Sequence, residues 1–295
     1  MCGIVGLFLK KDDLRPKLGD MLTDMLITMT DRGPDSAGIA IYGDDSDGLK
    51  VTVQSDTPES DFAGLDTALG EALGSPVTMK AVDTHAVLTL PEGTRDAAIA
   101  FLEARGLRIM GLGEAMEIYK EIGLPKDVAD RFNLRAMGGS HGIGHTRMAT
   151  ESAVTTLGAH PFSTDEDQCL VHNGSLSNHN QMRRILTEKG FAPRTENDTE
   201  VAACYISSRI AEGANLGEAL EGTLDDLDGF FTFVMGTKTG FGVVRDPIAC
   251  KPAVMAETDD YVAFGSEYRA FANLPGIEAA RVWEPEPATV YFWER

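Results

Sequence analysis

The chain has 295 residues, of which 43% are hydrophobic and 24% charged, a composition typical of a soluble globular protein. Its formal net charge of −20 argues against binding to nucleic acid or to an anionic membrane surface, because both require clustered Lys and Arg. A simpler reading is that the acidity only maintains solubility. No apolar run approaches the roughly 18–20 residues that span a bilayer, and the apolar residues 4–9 are followed at once by charges. A cytoplasmic location is therefore predicted.

The first predicted elements are short and alternate in type. The apolar run at residues 3–9 predicts a buried strand. Apolar residues at helical spacing predict an amphipathic helix over 18–31, which the Gly33-Pro34 pair ends. Further strands are predicted over 37–42 and 50–54.

Segment 55–138 differs in character and predicts an inserted α/β subdomain. Its periodic apolar residues are too many for a disordered linker. Strand-like residues occur at 86–90, and helices are predicted near 95–105, 114–122 and 126–133. Residues 1–54 and 139–295 would then form the main domain.

The remainder of the chain mixes strands and helices without a regular alternation. Strands are predicted over 142–147, 168–172, 230–235, 241–245, 253–257, 261–264 and 288–293. Helices are predicted over 180–189, 198–210 and 217–228. Strands grouped toward both ends, with helices between them, indicate an α+β fold.

Cys2 stands apart from the other cysteines because of its position. Cys169, Cys204 and Cys250 have apolar neighbours and are interpreted as small buried hydrophobic residues. Removal of Met1 is expected and would give residue 2 both a thiol and a free α-amine. That amine has an ordinary pKa of about 7.7–8.0, so it could act as general base for the thiol.

Five segments give Cys2 a context, although each alone is a weak signal. They are residues 2–6 (Cys-Gly-Ile-Val-Gly), 32–38 (Arg-Gly-Pro-Asp-Ser-Ala-Gly), 144–150 (Gly-His-Thr-Arg-Met-Ala-Thr), 172–174 (His-Asn-Gly) and 198–200 (Asp-Thr-Glu). In this order they resemble the class II glutamine amidotransferases, over about 1–54 and 139–295. The resemblance implies a four-layer αββα sandwich of the N-terminal-nucleophile (Ntn) hydrolase type that carries the insert.

The resemblance also implies roles for particular residues. Cys2 would be the nucleophile, and the Asn173 side-chain amide and the Gly174 backbone N–H would form the oxyanion hole. The substrate-binding residues would be Arg147 for the α-carboxylate, Thr150 beside it, Asp198 for the α-ammonium and Arg32 near the nucleophile. These residue types suit the binding of glutamine, since a guanidinium binds a carboxylate in bidentate fashion.

Simpler explanations exist for each motif. Asn-Gly is a common turn pair, Asp198 could be only a helix N-cap, and a lone Arg or Asp is usually solvated. The functional interpretation is favoured because the simpler explanations would have to hold for all five motifs at once. His141 and His145 are four residues apart, but glycines beside them disfavour a helical metal pair, so neither a metal nor a cofactor is predicted. His160 and His172 are interpreted as packed or hydrogen-bonded residues.

The expected activity is hydrolysis of L-glutamine to L-glutamate and ammonia. Because no synthase domain is recognised after the glutaminase motifs, the chain resembles the stand-alone GlxB type, similar to the small subunit of N-methylglutamate synthase. The implied partners are separate synthase subunits, one FMN-binding and glutamate-synthase-like and one of the Gly-x-Gly-x-Gly β-helix type, with the insert as the candidate docking surface. Two alternatives stay open: γ-glutamyl transfer to an amine such as methylamine, and glutamine sensing without turnover.

Overall fold

The computed structural model describes residues 2–149 and 153–295, which contain sixteen strands and eight α-helices. The strands are β1 (Gly3–Leu9), β2 (Ser36–Tyr42), β3 (Leu49–Gln54), β4 (Thr78–Val82), β5 (His85–Leu90), β6 (Arg108–Gly113), β7 (Met116–Ile122), β8 (His141–Arg147), β9 (Phe162–Asp165), β10 (Gln168–Leu176), β11 (Gly229–Gly236), β12 (Gly240–Arg245), β13 (Val254–Glu257), β14 (Tyr261–Gly265), β15 (Arg281–Trp283) and β16 (Val290–Glu294).

The helices are α1 (Leu18–Thr28), α2 (Pro58–Asp61), α3 (Leu65–Leu73), α4 (Arg95–Ala104), α5 (Pro125–Arg131), α6 (His179–Glu188), α7 (Asp198–Ala211) and α8 (Leu216–Asp226). Short 3₁₀ helices occur at Asp12–Lys17, Thr30–Arg32, Leu134–Ala136, Tyr268–Phe271 and Ile277–Ala279. No helix in the described ranges is long and apolar enough to cross a membrane.

Two large antiparallel sheets form the centre of the molecule. One has seven strands in the order β15-β13-β14-β1-β8-β2-β7, and the other has five in the order β16-β12-β11-β10-β9. A core that includes Ile4, Ile143 and Val171 lies between the facing sheets, so β1 is buried on both faces. This burial explains its unbroken apolar sequence.

Helices cover the outer face of each sheet. Leu22 and Leu26 of α1 pack against the seven-stranded sheet, because apolar residues recur along one side of that helix. On the five-stranded sheet, α6, α7 and α8 form a second outer core, which includes Val201 and Leu220. The result is the predicted α+β architecture, a four-layer αββα sandwich of the Ntn-hydrolase type.

A third sheet, β4-β5-β3-β6, has its own apolar core under α3 and α4, including Val51, Leu69 and Leu102. Its strands run from Leu49 to Gly113, whereas β7 belongs to the seven-stranded sheet. The helix predicted near 114–122 is therefore wrong, because these residues pair along β2 as an edge strand. The division into 1–54 with 139–295 and 55–138 as separate units stays a prediction.

Candidate active site

Cys2 lies directly before β1, the strand between β14 and β8 in the seven-stranded sheet. Its side chain is half-buried and its thiol forms no disulfide. The Cys2 carbonyl oxygen accepts hydrogen bonds from Arg32 Nε at 2.9 Å and from Asn173 Nδ2 at 3.2 Å. Two of the residues singled out in the sequence thus hold residue 2 from separate parts of the chain.

The Arg32 guanidinium is buried behind Cys2 and pairs with a carboxylate that the sequence did not single out. Arg32 Nη1 lies 2.7 Å from Glu267 Oε1, and Arg269 Nε lies 2.7 Å from Glu267 Oε2. The hydrogen bond from Arg32 lowers the pKa of Glu267. These contacts support a role for Arg32 in fixing Cys2, and its predicted contact with substrate stays a prediction.

A cavity of about 490 Å³ opens beside Cys2, within the size range of small-molecule sites. Four of the predicted site residues line it: Cys2, Arg147, Gly174 and Asp198. Asn173 is buried and reaches the Cys2 carbonyl, and Thr150 lies outside the described residues. Other lining residues are Met148, Ala149, Ala153, Thr155, Leu157, Gly158, His160, His172, Ser175, His179, Arg194, Thr195, Glu196, Asn197 and Thr199.

Asn173 and Gly174 lie near the end of β10, which pairs with β11 along its length. A Cβ added at Gly174 would overlap the Phe230 carbonyl oxygen and come within 2.6 Å of His172 Nε2. Only glycine therefore fits between the two strands at this position.

Arg147 supplies a buried positive charge to the pocket. It ends β8, between β1 and β2, and only 6% of its surface is exposed. Its Nη1 donates to the Ala153 carbonyl oxygen at 3.4 Å. The guanidinium is therefore held at the pocket wall by a residue of the segment that follows β8.

Asp198 supplies the opposite charge at the start of α7. The N-cap is Asn197, whose side chain accepts from Thr199 N at 2.9 Å, so the interpretation of Asp198 as the N-cap is wrong by one residue. Asp198 Oδ2 accepts from Leu176 N at 2.9 Å. Burial alone would raise the pKa of Asp198, but the His172 imidazole and the Leu176 N–H outweigh it and lower that pKa to about 2. The carboxylate is thus ionised in the pocket.

Two histidines of the pocket wall contact Thr199, and a third stacks on one of them. His160 Nε2 and His172 Nδ1 lie 2.8 and 3.0 Å from Thr199 Oγ1, and His145 stacks on His160 with ring centroids 4.0 Å apart. Burial lowers the pKa of His145 to about 3 and that of His160 well below its ordinary value, so both are neutral near pH 7. As predicted, His160 and His172 are hydrogen-bonded, but the sequence did not indicate that both line the pocket.

Within residues 2–149 and 153–295, no group of three or more His, Cys, Asp or Glu side chains is arranged to hold a metal ion. His141 instead bonds Ser140 Oγ and the Thr237 carbonyl oxygen, and stacks on Tyr42.

Two facing antiparallel sheets between helix layers, with a pocket at the head of the central strand, define the Ntn-hydrolase class of fold. Two solved structures share it: a purine-biosynthesis allosteric regulatory enzyme (TM-score 0.66, 20% identity) and the Bacillus subtilis glutamine phosphoribosylpyrophosphate amidotransferase (TM-score 0.64, 19% identity). Each alignment covers 99% of this chain and 47% of the other, so this chain spans about half of those proteins. At this identity the likeness concerns the fold alone.

Sequence relatives extend the comparison beyond the fold. A glutamine amidotransferase domain model matches residues 145–273. The glutamine amidotransferase-like protein GlxB of Rhizobium meliloti is 68% identical over 100% of this chain and 98% of that protein. A Methanothermobacter thermautotrophicus protein described as a glutamine amidotransferase is 33% identical over the full length of both chains. The chain belongs to the class II glutamine amidotransferases of the GlxB type.

Proposed function

We propose that this chain is a glutaminase subunit that hydrolyses L-glutamine to L-glutamate and ammonia through a thioester on Cys2. The observation that carries the proposal is that Cys2, Arg147 and Asp198 line one cavity. A free amino acid carries an α-carboxylate and an α-ammonium, and this cavity offers a charge opposite to each.

Binding of glutamine would use those two charges first. The buried Arg147 guanidinium binds the α-carboxylate, and the ionised Asp198 carboxylate binds the α-ammonium. With both ends held, the side-chain amide extends toward Cys2. Arg32 and Asn173 fix the Cys2 backbone, so the thiol would stay in position for attack.

Thioester formation would begin once Met1 has been removed, because the α-amine of Cys2 then accepts the thiol proton. The thiolate forms a bond to the amide carbon, and the resulting oxyanion is stabilised by Asn173 Nδ2–H and the Gly174 backbone N–H. Such a donor contributes roughly 3–4 kcal/mol to lowering the barrier. The amine returns its proton to the amide nitrogen, the C–N bond breaks and ammonia leaves.

Hydrolysis of the thioester would complete the cycle. Water gives a proton to the α-amine and adds to the thioester carbon, and the same two donors stabilise the second oxyanion. The C–S bond then breaks, the sulfur recovers a proton, and glutamate leaves. No metal, redox cofactor or additional reactant enters this balance.

The ammonia is proposed to pass to separate synthase subunits in the cytoplasm. By resemblance these are an FMN-binding, glutamate-synthase-like chain and a Gly-x-Gly-x-Gly β-helix chain. The insert at residues 55–138, which contributes β4, β5 and β6 to the four-stranded sheet, is the proposed docking surface.

Glutaminase activity is tested by supplying glutamine labelled with ¹⁵N in its amide and measuring labelled ammonia and glutamate. Equal amounts of the two products, abolished by Cys2→Ala, are expected. Formation of γ-glutamylmethylamide from added methylamine in place of glutamate would show amine transfer. Saturable glutamine binding without either product would show a sensor. Either result contradicts the hydrolytic proposal.

Delivery of ammonia to a partner is tested with the reconstituted complex and the same labelled glutamine, in the presence of excess unlabelled ammonia. If ammonia passes between subunits, the product keeps the label. Dilution of the label to the bulk ratio would contradict the transfer.

A further inference from the structure

One wall of the glutamine pocket is a loop without regular secondary structure, residues 153–161, called here the pocket loop. It presents to the cavity Ala153, Thr155, Leu157, Gly158 and His160. It also accepts the hydrogen bond from Arg147 through the Ala153 carbonyl oxygen. Since the loop belongs to no sheet or helix, side chains from elsewhere must fix its position.

Lys120 on the edge strand β7 makes three of these fixing contacts. Its ammonium donates to three carbonyl oxygens of the pocket loop: Leu157 at 3.3 Å, Ala159 at 2.7 Å and Pro161 at 3.0 Å. An ammonium has three N–H donors, so all three are used. Only 3% of the residue is exposed, and burial lowers the pKa of Lys120 to about 7. Lys120 is therefore buried even though burial disfavours its charged form.

The strand beside β7 lets the pocket loop come close. Gly38 on β2 is the register partner of Lys120. A Cβ at Gly38 would overlap the His160 carbonyl oxygen, so the loop crosses the sheet where the side chain is missing. This explains why a glycine ends the 32–38 motif, although it touches neither Cys2 nor the cavity.

Glu121, the next residue of β7, bonds the same loop from the other side of the strand, because successive side chains alternate in direction. Its Oε1 accepts a hydrogen bond from Thr156 Oγ1. Its Oε2 accepts from Thr84 Oγ1 at 3.0 Å, in the turn between β4 and β5. The carboxylate is buried, with 6% of the residue exposed.

On the basis of the proposed function, we propose that Lys120 and Glu121 are positioning residues that set the pocket loop, and through it Arg147, for binding L-glutamine. Neither residue lines the cavity, so they act through the loop backbone and Thr156. Loss of Lys120 would leave three carbonyl oxygens without their donor, and the loop would shift away from Arg147. The affinity for glutamine should fall, while the chemistry at Cys2 is retained.

The test follows alkylation of Cys2 by 6-diazo-5-oxo-L-norleucine, an electrophile with the shape of glutamine. Peptide mass spectrometry isolates the Cys2 adduct, which matters because the interpretation of Cys250 as a buried residue is wrong and its thiol is exposed. For Lys120→Met, the half-saturating concentration of 6-diazo-5-oxo-L-norleucine should rise at least tenfold. The rate of Cys2 alkylation at saturation should stay within threefold of that of the unsubstituted protein. Iodoacetamide, which needs no amino-acid pocket, should alkylate Cys2 at an unchanged rate.

The matched control is Lys126→Met, at an exposed lysine on α5 that pairs with Asp130. This substitution should leave the half-saturating concentration and the rate at saturation unchanged. Glu121→Leu and Thr156→Val should each raise the half-saturating concentration at least threefold, and the double variant should be no worse than Glu121→Leu alone, because both substitutions remove the bond between Thr156 and Glu121. These two variants keep the test decisive if Lys120→Met does not fold.

Three results would overturn the inference. One is an unchanged half-saturating concentration in folded Lys120→Met or in Thr156→Val. The second is an equal loss of iodoacetamide reactivity, which would indicate general damage. The third is the absence of saturable alkylation in the unsubstituted protein, which would refute the proposed function as well. The first two would leave the proposed function standing.

Discussion

Replacing Gly174 with alanine is the sharpest perturbation of the proposed oxyanion hole. The added Cβ would overlap the Phe230 carbonyl oxygen on β11 and approach His172 Nε2 to 2.6 Å. Both neighbours are held in place, since β10 and β11 are paired and His172 is bonded to Thr199. The strands must therefore separate by a distance on the order of 1 Å, and the Gly174 N–H moves with them.

The size of the effect follows from that displacement. Removal of one oxyanion donor costs about 10²–10³ in kcat, or about 2.7–4 kcal/mol, and the overlap itself costs roughly 1–3 kcal/mol of stability. For Gly174→Ala we expect kcat for glutamine hydrolysis to fall at least a hundredfold with KM changed less than threefold. Steady-state ammonia release and urea unfolding measure the two effects.

A control variant separates catalysis from packing. A Cβ at Gly240 would overlap the Trp293 carbonyl oxygen between β12 and β16, a similar clash away from the pocket. Gly240→Ala should lose comparable stability and keep its kcat. If Gly174→Ala retained more than a tenth of the kcat, or if both variants lost activity in proportion to stability, the oxyanion assignment would be refuted.

Three further predictions concern charge. Arg32→Lys replaces the separate Nε and Nη1 donors, which bond the Cys2 carbonyl and Glu267, by a single nitrogen that cannot occupy both positions, so kcat/KM in the ammonia assay should fall roughly tenfold to a hundredfold; full activity would contradict the role of Arg32 in fixing Cys2. Asp198→Asn keeps an acceptor for Leu176 N–H but loses the charge, so KM for glutamine should rise roughly tenfold to a hundredfold with kcat changed much less. Stability should fall on acidification, because burial lowers the pKa of three histidines to about 3, and below pH 6.5 the unfolded chain binds protons that the folded chain does not. These histidines are His85, His141 and His145. Between pH 6.5 and 5, each should lower the free energy of unfolding, measured by urea unfolding, by about 2 kcal/mol. An unchanged urea midpoint would contradict their burial as neutral groups.

Elements with a strong local pattern could be predicted from the sequence. The helix at α1 and the buried strand β1 have apolar spacing that tertiary contacts reinforce. The residues of β7 and Ala115 before it also suit a helix, since Ala115, Ile118 and Tyr119 recur at helical spacing. The pairing of β7 with β2, which depends on residues about 80 positions earlier, decided its conformation.

The site divides in the same way. Cys2, Arg147, Gly174 and Asp198 belong to multi-residue motifs, so the sequence indicated them and the fold brings them to one cavity. His160, Glu267 and Lys120 are single residues without a local pattern. Their importance follows from contacts across the fold, which a single sequence does not contain.

The central claim is that Cys2, unblocked at its α-amine, forms the covalent bond to the substrate. The most direct measurement is peptide mapping by mass spectrometry after reaction with 6-diazo-5-oxo-L-norleucine. We expect one adduct on a peptide that begins at Cys2 and lacks Met1. An adduct confined to Cys169, Cys204 or Cys250, or a modified peptide that still carries Met1, would contradict the account.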